Sequence, residues 1–136
     1  MNQPVKTKSV LYTIARVLLG LIFVVVGANG FLLFIPPPPP SSMPAVVVQW
    51  NGAMFITHYV WMTSGFQVLA GLLLLLNRYV LVALIIIAGV LVNILTFHIT
   101  MWPQTLFPLP IITLILWLLT CWPLRERFAA LFTPKV

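Results

Sequence analysis

Polar and apolar residues do not alternate along this chain; they separate into long apolar blocks joined by short polar breaks. A crossing of the hydrocarbon core takes roughly 20 apolar residues. The pattern therefore predicts an all-α chain with four membrane spans, at about residues 11–34, 58–76, 80–100 and 106–122. Five consecutive prolines at 36–40 end the first span, because they lack amide donors and favour a stiff extended segment. Residues 45–57 are too short to cross. They mix Val46, Trp50, Met54 and Phe55 with Gln49, Asn51 and Gly52, which predicts a short helix lying in the interface or a re-entrant segment. Trp50, Tyr59 and Trp61 fit an aromatic belt at the membrane surface, and His58 joins them as an interfacial residue. Asn77-Arg78-Tyr79 closes the second span and Trp102-Pro103 the third. Pro108 and Pro110 suit the first turns of the fourth, where missing amide donors matter little, and Pro123 marks its end. Within the first span, Thr13, Gly20 and Gly27 recur every seven residues, a small-residue seam for a neighbouring helix.

Charge placement turns these blocks into a topology. The chain of 136 residues is 62% hydrophobic and 6% charged, against about 25% charged in soluble domains. All seven basic residues, Lys6, Lys8, Arg16, Arg78, Arg125, Arg127 and Lys135, fall at the N-terminal stretch, the second connector or the C-terminal tail. With four crossings these three regions share one side, and the positive-inside rule makes it cytoplasmic. The expectation is a single transmembrane domain over 1–136, a four-helix bundle with both termini inside and a proline-rich outer loop. Arg16 is close enough to the inner end to extend its guanidinium to the head groups. The basic residues around Lys6 do not make a cleaved signal peptide, since Arg16 interrupts the apolar run and that run exceeds a signal core of about 7–15 residues. A net charge of +6 could suggest nucleic acid in a soluble chain; here cations flank apolar segments, so anionic lipid is the predicted partner.

Few residues inside the spans can do chemistry. Asn29, Ser64, Gln67, Asn93, Thr96 and His98 are the candidate polar side chains, and such groups in hydrocarbon need a partner or a ligand. At about 100° per residue, Ser64, Gln67 and Gly71 share one helix face, and Asn93, Thr96 and Thr100 another. Two readings follow for Asn29, Gln67, Asn93 and His98. Asn29, Gln67 and Asn93 hydrogen-bond across the bundle, at about 0.6–2 kcal/mol each, with His98 a polar anchor at its helix end, or all four line an outward-opening pocket for the head of a quinone-like or lipid ligand. A haem held between His58 and His98 has no ligand-spacing motif behind it. Cys121 stands alone, which excludes an internal disulfide or a CxxC pair. There is no carboxylate inside a span, no Ser/His/Asp set, no glycine-rich phosphate loop and no metal-ligand motif, so catalysis by this chain alone is not indicated.

The order of these segments resembles the DoxX family of small four-helix membrane proteins. The resemblance is carried by Arg16-Val-Leu-Leu-Gly-Leu-Ile-Phe23, Gly27-Ala-Asn-Gly-Phe31, the proline-rich loop with its short helix, Ala70 through Arg78, Asn93-Ile-Leu-Thr-Phe-His98, and Arg125-Glu-Arg-Phe128. It covers about residues 11–128 and implies a bacterial cytoplasmic-membrane protein. In some members it implies a link to quinone-dependent sulfur oxidation or to thiol and redox-stress complexes. Asn29, Asn93 and His98 fall on motif positions, whereas Gln67 stands where relatives are expected to carry Glu. The expected function is a non-catalytic accessory subunit that binds a quinone or lipid and docks to a redox or other membrane partner. Its rivals are a structural subunit, in a larger complex or a homo-oligomer, and a small transporter, which the absence of charged groups inside the spans and of inverted repeats disfavours.

Overall fold

The computed structural model describes residues 3–134, with side chains from Ser9 onward. The side chains of Lys6 and Lys8, and Lys135 entirely, lie outside the described residues. Among the described residues the regular structure is helical throughout: α1 (Gln3–Leu32), α2 (Ala45–Ile56), α3 (Val60–Leu75), α4 (Val80–Met101), α5 (Leu109–Cys121) and α6 (Arg125–Ala130), with single 3-10 turns at Pro40–Ser42, Pro103–Thr105 and Trp122–Leu124.

Three stretches are long and apolar enough to cross a bilayer: Ser9–Leu32, Val80–Met101 and Leu109–Ala130. A fourth exists if α2 and α3, bent by 81° to one another, count as one broken span. That bend agrees with a short helix preceding the second crossing. It is made by His58, whose φ of 61° turns the chain out of α2. The fourth stretch departs from expectation. Pro123 does not end the helical path; it sits in the turn Trp122–Leu124, and the chain resumes as α6. A 3-10 turn tolerates proline at its start because those amides have no intrahelical acceptor.

Large apolar side chains cover the outside. Leu18, Leu21 and Val25 on α1, and Val82, Ile85 and Val92 on α4, are all exposed. In water these would form patches far larger than a soluble monomer carries; in hydrocarbon they are the solvated surface. The chain is thus built as an integral membrane protein.

Inside, α1 packs on α3 and α5, and α4 on the same two helices. Leu19, Phe23, Leu74, Leu84, Ile87 and Leu91 form the centre of the core. The closest approach is between α1 and α3, which run antiparallel. A Cβ placed on Gly71 would lie 2.8 Å from the Gly20 carbonyl oxygen and 2.8 Å from the Val24 amide nitrogen. One on Gly27 would lie 2.9 Å from Gln67 Cβ, and one on Gly30 would collide with the Ser64 side chain. Gly20 and Gly27 therefore form the expected seam. Thr13 does not belong to it; its side chain is exposed and donates to the Ser9 carbonyl at 2.9 Å. A second tie joins α4 and α5, where the Trp117 indole N–H donates to the Leu84 carbonyl at 3.0 Å.

Arg16 also differs from expectation. It is 8% exposed, and its guanidinium donates to the Leu74 carbonyl instead of reaching outward. Leu74 lies in the last turn of α3, where its carbonyl accepts one backbone amide, that of Asn77 at 3.2 Å, and the helix dipole favours a cation. That local attraction outweighs extension to the head groups.

The seam has a direct consequence for stability. Gly71→Ala should lower the unfolding free energy by about 1–3 kcal/mol, the usual effect of overpacking. Gly65→Ala, where nothing lies within 4 Å, should be neutral or stabilising by up to about 1 kcal/mol. Thermal unfolding of both variants in the same detergent checks the contrast.

Candidate functional site

At the end of the molecule away from Arg78 and Arg127, two cavities meet along a shared wall. One, of about 330 Å3, opens between α2, α3 and α4 and is lined by Trp50, Asn51, Gln67, Gly89, Asn93 and His98, among others. The second, of about 410 Å3, lies between α1, α4 and the start of α5 and is lined by Phe23, Gln67, His98, Gln104, Thr105 and Pro108, among others. Gln67, Ile94 and His98 belong to both. Both volumes fall in the range of small-molecule sites, about 300–1,000 Å3.

Each polar member reaches the wall for a local reason. Gln67 follows the glycine seam: with Gly27 directly beneath its Cβ, the side chain is directed sideways between α1 and α4. Asn93 lies one helical turn before Phe97, whose ring packs at 6.3 Å from that of Trp50 and so holds α2 over the first cavity. His98 is fixed by the turn that follows α4. Its Nδ1 lies 2.6 Å from Thr105 Oγ1, and that hydroxyl lies 2.8 Å from the Trp102 carbonyl oxygen. A hydroxyl has one proton to donate. Given to the carbonyl, it leaves the Thr105 oxygen to accept from His98 Nδ1–H, and a neutral ring then keeps Nε2 as an acceptor.

The structure thus brings together three of the four residues singled out in the sequence, Gln67, Asn93 and His98. The fourth, Asn29, is elsewhere. Its Oδ1 accepts the Ile35 amide at 2.7 Å, closing the end of α1 where Leu33 turns to φ 52°. A bulky residue in that region is strained, and the Asn29 bond helps to hold it there. Asn29 acts as a cap, not as a cavity residue.

No hydrogen bond joins Gln67 or Asn93 to another side chain among the described residues. These amides face cavity space instead of each other. The aromatic residues divide similarly. Trp50 is a cavity wall, whereas Trp61 stacks on His58 at 4.4 Å and contacts Phe31 at 6.1 Å. His58 Nδ1 is engaged with the Phe55 carbonyl at 3.0 Å, and His58 borders neither cavity. Among the described residues no group of three or more His, Cys, Asp or Glu converges to hold a metal ion.

Sequence reasoning missed Asn51, Gln104 and Thr105. Asn51 was legible only as a polar position on a surface helix. Thr105 carried a weaker signal, a hydroxyl just after Trp102-Pro103 that could fold back on the end of α4.

No family model, curated protein or solved structure matches the chain.

Asn29 as a cap predicts separable effects. Asn29→Ala should lower stability by about 0.5–1.5 kcal/mol, the net value of one hydrogen bond. It should leave ligand occupancy of the cavities unchanged, as measured by extraction of the purified protein.

Proposed function

We propose that this chain is a DoxX-like, non-catalytic accessory subunit of a bacterial cytoplasmic membrane, which binds the head of a quinone-type or lipid ligand and docks to a redox or other membrane partner. Four crossings, formed by α1, α3, α4 and α5 as a bundle with both termini cytoplasmic, agree with the antiparallel α1–α3 pair and with the placement of the basic residues. The meeting of Tyr12, Asn77 and Arg127 at one end of the molecule supports a common side for the N-terminal helix, the second connector and the tail.

The observation that carries the reading is the pair of cavities sharing Gln67 and His98, with amides unpaired to one another. Gln67 and Asn93 each offer donors and an acceptor, and His98 offers an acceptor at Nε2. A head group with carbonyl and hydroxyl oxygens matches that set, and the apolar walls match a hydrocarbon substituent. The set of Gln67, Asn93 and His98 contains no carboxylate, hydroxyl or thiol, and the role proposed for it is to bind and orient.

An assembly role has its own support. Asn93, Thr96 and Thr100 lie on one exposed face of α4, and Thr96 and Thr100 satisfy themselves on the Val92 and Thr96 carbonyls at 2.7 Å each. A stripe of small polar side chains on a lipid-facing helix suits close approach by another helix. If this chain is purely a structural subunit, its deletion lowers the amount of the larger complex without changing turnover per assembled unit.

Gly89 provides a clean test of ligand binding, because it borders the first cavity and a Cβ there meets nothing within 4 Å. Gly89→Leu should fill the cavity while keeping the fold. The expected outcome is loss of co-purified quinone, and of quenching of Trp50 fluorescence by a soluble quinone, with the unfolding temperature retained. Asn93→Leu should weaken that quenching about 2–10-fold, the value of one hydrogen bond. Wild-type protein that neither carries nor binds a quinone or an ordered lipid would sink the proposal.

A further inference from the structure

A third cavity, of about 350 Å3, lies at the opposite end of the molecule. It forms where α1, the α3–α4 connector, the start of α4 and the tail meet, and its polar wall consists of Tyr12, Asn77, Tyr79 and Arg127. We propose that this cavity binds the phosphodiester head group of an anionic phospholipid, with Arg127, Tyr12 and Asn77 as its donors.

The donors come from three separate parts of the chain, and none of the three side chains hydrogen-bonds another protein group among the described residues. Arg125 makes the contrast. Its guanidinium is committed to the Trp122 carbonyl at 3.0 Å and lies 4.9 Å over the Trp122 ring. Arg127 has no such engagement and borders the cavity.

Charge balance points the same way. Arg16 follows Tyr12 by one helical turn, is 8% exposed and keeps an Nε that no acceptor reaches. The guanidinium touches the carbonyl of Leu74, three residues before Asn77. Glu126 is the only acid in the whole chain and is exposed on the tail. With Arg16, Arg78, Arg125 and Arg127 against Glu126 alone among the described residues, this end carries an excess of positive charge that favours an anion. The first residues of α4 border the same space, and their unpaired amides add to its positive potential.

Two features favour a lipid over a free phosphate, and an anionic lipid over a zwitterionic one. The cavity sits where the apolar helix α4, long enough to cross a bilayer, begins, the end of a span at which head groups would lie. Its lining contains no carboxylate, so a choline or ethanolamine ammonium would face Arg127 without a counter-charge. The proposal is independent of any ligand bound beside Gln67 and His98.

The test is native mass spectrometry of the full chain in non-ionic detergent, titrated with phosphatidylglycerol or with phosphatidylcholine of the same acyl chains. Phosphatidylglycerol should be retained about fivefold more strongly, the preference expected of one arginine near the phosphate layer. Arg127→Gln should abolish that preference, and Tyr12→Phe should reduce it about twofold with the charge intact. Gly65→Ala, away from all of these cavities, should leave it unchanged. Equal retention of the two lipids overturns the proposal, as does a preference that survives Arg127→Gln. Loss of the preference on adding millimolar inorganic phosphate would identify a free-anion site and overturn the lipid assignment.

Discussion

The contact between Gly20 and Gly71 sets the geometry of the remainder of the molecule. Lipid tails are as apolar as leucine, so burying hydrocarbon supplies little drive for helices to associate within a bilayer; close packing and polar contacts supply it instead. Glycines at positions 20, 27, 30 and 71 let the backbones of α1 and α3 touch, with no room for a methyl group at these points. Around that pair, α4 and α5 complete the core through Leu84, Ile87 and Leu91 and through the Trp117 indole. The guanidinium of Arg16 closes one end of the same pair on the Leu74 carbonyl.

Tight packing along one seam leaves looseness elsewhere. Where α1 and α3 touch, their side chains must leave sideways, and Gln67 does so at the level of Gly27. There it becomes the common wall of two cavities. The bend at His58 then carries α2 across one opening, and the ring of Trp50 rests against Phe97. Gln67 and His98 thus gain space to meet a ligand because the glycines have none to spare.

Hydropathy made the helices legible, because an apolar block of about 20 residues has few other uses. It also revealed that residues 45–57 could not cross alone, and the 81° bend between α2 and α3 agrees. What it did not reveal depends on contacts between distant residues or on local backbone detail. Helical spacing put Asn29 among the buried polar groups, but the side chain is used by its own helix end, six residues away. The position of Arg16 suggested a path to the head groups, yet the end of α3 offered a nearer acceptor, visible only once the two helices are paired. Thr105 and Asn51 entered the site through the turn after α4 and the overhang of α2, neither of which has a period to detect. Periodicity assigns a residue to a face; it does not say which neighbour that face meets.

The unequal lengths of α3 and α4 bear on how the proposed bundle would meet a bilayer. Helix α3 contains 16 residues, which at about 1.5 Å each make a rod of about 24 Å, against a hydrocarbon core about 30 Å thick. With α2 folded over at its end, the rod cannot lengthen in that direction. A bilayer crossed by both helices would have to thin beside α3, whereas the 22 residues of α4 on the neighbouring side match full thickness. Such a crossing would present lipids with a tilted rim, low on one flank and high on the other. Mismatch of this kind is worth fractions of a kcal/mol per ångström, enough to draw a second short-flanked protein toward the thin side.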